Sequence, residues 1–199
     1  MAIFKPESNG SSSDFTGICE FGIVGFKDKS NDFTWADLFL EVTVKQKHSD
    51  YDRVLQIKGE LDKDSSGNIT GGTVLKRMYH FFDQIGCDAG INVKGEWEDA
   101  EGERIEDIAQ YLTDGHLSNV IPDTDPSYDY IGYFYKEVPK TPGGKSYTRM
   151  HSKVYTISDK NKAQLENDIK WMKSKGYLKE LTDESATQTE MSGSGLSNL

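Results

Sequence analysis

Between residues 38 and 45 the sequence alternates apolar and polar side chains, as an extended strand with one buried face does. Leu38, Leu40, Val42 and Val44 would share one face of an extended strand, with more polar side chains on the other face. A strand with one apolar face must bury that face against other elements. Four other segments have a similar β-branched, aromatic or alternating character, namely residues 18–26, 55–61, 130–137 and 146–157.

Helical periodicity separates and follows these strands. Residues 74–85 carry one apolar stripe and end at Gly86, which is a common residue at a helix C-terminus. Ser158 can cap a second helix, which we expect to stop at Gly176. A weaker pattern predicts a third helix over residues 105–112.

This order of elements predicts a mainly β fold with some α (α+β): a five-stranded OB-like partly open barrel with two or three helices. Other α+β sheets fit the same order and remain open as alternatives. We assign residues 17–181 to this domain. Residues 1–16 form a polar Gly/Ser arm, and residues 182–199 form a weakly acidic tail that we expect to be disordered.

Charge is distributed unevenly along the chain. The 33 acids exceed the 23 bases, giving a net charge of −10. An acidic insert at residues 96–130 holds 11 acids against one base, Arg104, so the remainder is neutral overall. We interpret the insert as a solvated loop; its carboxylates are also the ligands that a magnesium-dependent nuclease would need. Residues 130–157 are locally basic, and a local basic strip can attract phosphate because salt screens distant charges.

Several classes of protein are excluded or disfavoured. No apolar run approaches the length of a membrane helix, so we expect no membrane partner. The first six residues lack the apolar stretch of a signal peptide, and the two Cys form no disulfide framework or zinc motif, which favours a cytoplasmic protein. The sequence at 62–69 is similar to the opening of a calcium loop, but Thr73 stands where a bidentate Glu would be needed. The four His are scattered. We therefore predict no metal, no cofactor and no enzymatic activity.

The last predicted hairpin carries the candidate binding site. Alternate positions of its second strand interleave rings with positive charge, from Tyr147 to Tyr155. Binding of single-stranded nucleic acid needs this mixture, because rings stack on bases and cations follow the backbone. The candidate DNA-binding residues of the hairpin are Tyr133, Tyr135, Lys136, Lys145, Tyr147, Arg149, Lys153 and Tyr155. The alternative is a solvated face whose tyrosines pair across strands.

A second group of cations could extend this groove. It comprises Lys45, Lys47, Arg53 and Lys58, which flank the hairpin between residues 44 and 55. Each of these residues taken alone fits a solvated edge charge equally well. Trp35 and Phe39 lie close to the same hairpin, and we expect Trp35 to belong to the core rather than to a stacking surface.

The order of features from residue 18 to 181 resembles that of the single-stranded-DNA-binding proteins of bacteriophages and related viral replication proteins. The segments that carry the resemblance are the strand pair at 36–44 and 53–57, the helix at 75–79, and the hairpin at 130–136 and 143–149. The resemblance implies an OB core, a basic aromatic groove, single-stranded DNA as partner, a role in DNA replication and recombination in an infected host cell, and an acidic tail that recruits replication proteins. A homodimer remains open.

Two departures from that family stand out. The tail ends at residues 195–199 without dense acids or a terminal aromatic residue, which weakens the case for recruitment through the tail. The acidic insert is longer than a plain OB loop, and mimicry of DNA or masking of the groove would account for it. The leading hypothesis is thus a non-catalytic single-stranded-DNA-binding protein. The alternatives are a viral structural or protein-interaction module and, third, a metal-dependent nuclease.

Overall fold

The structure is a computed structural model that describes residues 15–117, 125–139, 141 and 144–181. Most of the predicted arm, the tail at 182–199 and the turn residues Pro142 and Gly143 lie outside the described residues. Within the described part, the elements in chain order are β1 (Gly17–Asp28), β2 (Leu38–Gln46), β3 (Asp52–Gly59), β4 (Asp62–Lys63), β5 (Ile69–Gly71), α1 (Thr73–Ile85), β6 (Gly90–Ile91), β7 (Trp97–Glu98), α2 (Ile108–His116), β8 (Tyr130–Lys136), β9 (Thr148–Thr156) and α3 (Asp159–Ser174).

Five of these strands form one antiparallel sheet in the order β3-β2-β1-β8-β9. The sheet curls until its two edge strands, β3 and β9, approach within 8 Å between Cα atoms without forming a ladder. Along the chain, α1 follows β3 and precedes β8, so it connects the two halves of the sheet sequence. The predicted fold class is confirmed: the chain is a mainly β, OB-like α+β protein with a partly open barrel.

The apolar side chains of the predicted alternation lie in the interior of the barrel. Leu38, Leu40, Val42 and Val44 are all buried in the main hydrophobic core. On β3, Ile57 pairs with Leu40 and Leu55 pairs with Val42, so their side chains enter the same core. The register of β1 shifts between Ile23 and Gly25, and β1 pairs with β2 on one side and β8 on the other. This irregularity of β1 lies next to Gly25.

The helix boundaries follow their predicted signals. The helix α1 packs on β3 and β9 and ends at Gly86, which adopts the left-handed conformation. Ser158 caps α3, because its side chain accepts a hydrogen bond from the amide of Asn161. The helix α2 begins three residues later than predicted. None of the described helices is long and apolar enough to cross a membrane.

The acidic insert is more than a solvated loop. Its helix α2 buries Ile108 and Leu112 in the main core, so our interpretation of the whole insert as a solvated loop is wrong for this part. Residues 118–124 lie outside the described residues. The segment 125–129 that follows lies against the sheet and is treated below.

The calcium-like sequence is a short hairpin made by β4 and β5. The Asp64 carboxylate accepts hydrogen bonds from the amides of Ser66 and Asn68, so it closes the turn. In the described part of the chain, no group of three His, Cys, Asp or Glu side chains is arranged to hold a metal ion.

Candidate nucleic-acid interface

The structure does not place the predicted tyrosines of β8 and β9 on an open groove. Tyr133 and Tyr155 are only 8% and 9% exposed, and they form a second hydrophobic cluster with Leu165 and Ile169 of α3. Tyr135 packs against the same cluster. The predicted sharing of one face is correct, but the open groove is wrong for these rings, because α3 folds back over this face and covers it.

Polar contacts fix this covered face to α3. The Tyr155 hydroxyl donates a hydrogen bond to Asp168 at 2.7 Å, and the Lys153 ammonium lies 3.6 Å from the same carboxylate. Burial, followed by the contact with Asp168, raises the pKa of Tyr155 far above its usual value. The Tyr133 hydroxyl donates to Glu180 in the segment after α3. These rings and Lys153 therefore join α3 to the barrel.

The β8–β9 connection, farther along the hairpin, remains more open. Lys136, Lys145 and Tyr147 are exposed there, and Arg149 pairs with Glu137 at 2.9 Å. A pocket of about 290 Å³ in this connection is lined by Glu137, Lys145, Tyr147 and Arg149, among others. This outer part of the hairpin is the portion of the predicted hairpin site that a ligand can reach.

The cations predicted to extend the groove have different surroundings. Lys45 pairs with Asp125 at 2.6 Å, and Lys47 pairs with Glu20. The Arg53 guanidinium lies 5.5 Å from the centre of the Tyr51 ring. Lys58 differs from the other three, because it lies beside a group of half-exposed rings.

This group, here called the aromatic platform, consists of Phe33, Trp35 and Phe39. Phe39 is buried on the outer face of β2, and the Phe33 ring stacks on it with centroids 5.3 Å apart. The Trp35 ring lies 5.9 Å from Phe39 and 5.6 Å from Phe33. Phe33 remains 40% exposed and Trp35 48% exposed. The prediction that Trp35 belongs to the core is wrong, because it lies on top of the buried ring rather than beneath the sheet.

The β1–β2 loop that presents these rings is held by hydrogen bonds. Ser30 accepts from the amide of Phe39 at 2.9 Å and donates to Asp28 at 2.6 Å. At the far end, Asp37 accepts from the amide of Leu61 and pairs with Lys63. The hydrogen bond from Lys63 is the main reason that the pKa of Asp37 lies below its usual value. A loop ordered in advance loses less entropy when a ligand binds.

Cations border the platform. The Lys58 ammonium lies 5.0 Å from the centre of the Phe39 ring and 5.6 Å from that of Trp35, within cation–π range. Lys29 lies 5.9 Å from Phe39 on the other side and pairs with Glu41. Register explains the arrangement, because Lys58 of β3 lies directly opposite Phe39 of β2.

The sequence analysis did not predict the platform because Phe33 and Trp35 lie in a loop, where no periodicity indicates which side their rings face. The available signal was the density of aromatic residues, three within seven positions from Phe33 to Phe39, beside a predicted hairpin that carries Lys58. No protein-family model, curated protein or solved structure matches this chain. What the site can do therefore follows from its own geometry and chemistry.

Proposed function

We propose that this chain is a non-catalytic protein that binds single-stranded DNA independently of sequence through the aromatic platform. The observation that carries the proposal is the exposed pair Phe33 and Trp35, seated on Phe39 and bordered by Lys58. Half-exposed rings on a fixed support can stack on bases, and every base has a face to stack on.

The position of the platform in the fold supports the same function. It occupies the outer face of β2 and β3 and the loop between β1 and β2. In OB folds, the face of strands 2 and 3 and the adjoining loops take up oligonucleotides. The exposed side chains Lys145 and Tyr147 in the β8–β9 connection are the counterpart of the second such loop, so we include them in the proposed interface.

The resemblance noted above adds the biological setting to the proposal. We infer a role in replication or recombination of phage-like DNA inside an infected host cell. The protein would hold and protect a single strand, and its affinity should fall as salt rises, because bound lysines release counterions from the phosphates.

One observation favours a second candidate, a protein-interaction module. The cations near the platform, Lys27, Lys29, Lys58 and Lys63, are matched by acids, Asp28, Asp32, Asp37 and Glu41. Apolar rings within balanced charge also fit a surface that binds another protein. Salt dependence and preference for single strands over duplex separate the two candidates.

The decisive experiment compares two exposed tryptophans. Trp35→Ala removes the larger exposed ring of the platform, whereas Trp171→Ala removes a 55% exposed ring on α3 that contacts Tyr177. Fluorescence anisotropy with labelled oligo-dT at low and moderate salt should show that Trp35→Ala weakens binding about tenfold to a hundredfold, since each stacked base contributes about 1–3 kcal/mol. Trp171→Ala should bind like the wild type.

Two results would contradict the proposal. The first is a folded wild-type protein that does not bind oligo-dT even at low salt, which would favour the protein-interaction module. The second is an equal loss of affinity in both tryptophan variants.

A further inference from the structure

The end of the acidic insert lies directly on the outer face of the sheet. We call residues 125–129 the strap. Pro126 of the strap is buried, and a Cβ added to Gly22 of β1 would stand 2.7 Å from its Cγ and closer still to the Ser127 carbonyl oxygen. Only glycine at position 22 allows this close approach. The absence of a side chain at Gly22 thus forms the site on β1 where the strap packs, here called its seat.

A charged contact fixes the strap above its seat. Lys45 of β2 lies opposite Gly22 in the register, and its ammonium contacts the Asp125 carboxylate at 2.6 Å. The hydrogen bond from Lys45 lowers the pKa of Asp125, and Tyr128 also hydrogen-bonds to this carboxylate. At the other end, the Asp129 carbonyl accepts a hydrogen bond from the amide of Ile157.

The strap and the aromatic platform share one surface. Phe39 and Lys45 both point outward from β2, because the side chains between them alternate and Leu40, Val42 and Val44 point into the core. Lys45 lies six positions after Phe39 on the same strand, a distance of about 20 Å. A single DNA strand of several nucleotides bound on an OB face spans such a distance.

We propose that the strap is an autoinhibitory mimic of a phosphate: its Asp125 occupies the position on Lys45 that a backbone phosphate of single-stranded DNA takes when the strap is displaced. This inference rests on the proposed function and adds regulation to it. Carboxylate and phosphate groups can both pair with an ammonium group. A DNA phosphate that binds Lys45 must therefore first displace the Asp125 carboxylate. The acidic insert thereby limits binding at this end of the face.

The test uses Asp125→Asn with Asp114→Asn as its matched control. Both are exposed acids of the insert, both changes raise the net charge by one, and the Asp114 carboxylate on α2 accepts a hydrogen bond from Gln110 rather than from a lysine. Anisotropy with labelled oligo-dT at low salt should show about three- to tenfold tighter binding by Asp125→Asn, with a salt dependence steeper by about 0.7, the equivalent of one further phosphate contact. Asp114→Asn should bind like the wild type.

A second variant assigns the gain to Lys45. Adding Lys45→Ala to Asp125→Asn should return affinity and salt dependence to the wild-type values. Equal affinities of Asp125→Asn and Asp114→Asn overturn the strap proposal, and so does a gain that survives the loss of Lys45. These results leave the proposed function intact so long as wild type binds, whereas absence of binding by wild type and Asp125→Asn alike overturns both.

Discussion

Two regions of the outer face of the sheet carry aromatic rings and lysines, but the rings of only one region are exposed. On β2 and β3, Phe33 and Trp35 lie on Phe39 and remain half exposed. On β8 and β9, Tyr133 and Tyr155 have equally suitable chemistry but lie beneath α3. The difference shows that the composition of a strand face does not decide whether it binds a ligand. What decides is whether another element of the chain covers it.

The packing of α3 over β8 and β9 has a physical cause. The apolar side chains of α3, among them Leu165 and Ile169, must be buried, and the outer face of β8 and β9 is the nearest apolar surface along the chain. Burying such side chains contributes about 1.5–3 kcal/mol each. The β1–β2 loop has no following helix of this kind, so its rings keep their exposed surface for a ligand.

The largest expected effect is a contrast between Tyr155 and Trp35: truncation of Tyr155 should mainly lower stability, and truncation of Trp35 should mainly lower DNA affinity. Tyr155→Ala should lower the free energy of unfolding by about 3–5 kcal/mol, as truncation of a buried aromatic residue does. Trp35→Ala should lower it by about 1 kcal/mol or less, because the ring is half exposed. Urea unfolding measures both values, and the oligo-dT affinity of the folded proteins should fall, by about tenfold to a hundredfold, only in Trp35→Ala.

A conservative variant covers the case in which Tyr155→Ala does not fold. Tyr155→Phe keeps the ring and loses only the hydrogen bond to Asp168, so we expect a loss of about 1 kcal/mol and unchanged DNA binding. A marked loss of affinity in a stable Tyr155→Phe protein would mean that the covered face takes part in binding after all.

The next effect concerns the pH dependence of stability at the covered face. Burial, with further contributions from Lys153 and Arg77, lowers the pKa of His151 to about 4, while Asp168 acts in the opposite direction. The unfolded chain then binds a proton that the folded chain does not, so stability falls as pH drops from 7 to 5. The expected loss from this residue is about 2 kcal/mol.

Urea unfolding of His151→Asn at pH 7 and pH 5 checks this expectation. The variant should lose less stability than the wild type over that interval, and His48→Asn, at an exposed position, should behave like the wild type. The same pH dependence in His151→Asn as in the wild type would show that the His151 imidazole is more accessible to water than the structure indicates.

The smallest effect compares two lysines, one on each face. Lys58→Ala should weaken oligo-dT binding by about three- to tenfold and reduce the salt dependence by about 0.7, the value for one phosphate contact on a single strand. Lys153→Ala should leave both unchanged, because this lysine is paired with Asp168 of α3. Equal losses in the two variants would remove the distinction between the open and the covered face.

Much of the fold could be predicted from local chemistry. The alternation from Leu38 to Val44 identifies a strand and its buried face, and Gly86 and Ser158 mark helix ends through backbone freedom and capping. Each of these signals involves neighbours in sequence. The order of the elements then favoured an OB-like barrel, which the structure confirms.

The candidate site was predicted less well, because it depends on contacts between distant residues. The face that Tyr155 shares was assigned correctly, but the alternation within β9 does not show that the next helix, α3, folds back over that face. The exposure of Trp35 depends on how the loop is held by Ser30 and Asp37. The seat of the strap joins Gly22 to Pro126, more than a hundred residues later.

Side-chain periodicity and local backbone preferences were sufficient to predict the five strands of the sheet, the buried face of β2, the end of α1 and the start of α3. These features depend on residues that are neighbours in sequence. Which part of the outer face stays open could be read only from the packing of distant elements. It depends on where α3 buries its apolar side chains and on where the strap finds a partner for Asp125. Lys45, Lys58 and Lys153 are the same residue type on similar strands. The partner that tertiary packing brings to each one, Asp125, the aromatic platform or Asp168, gives it its role.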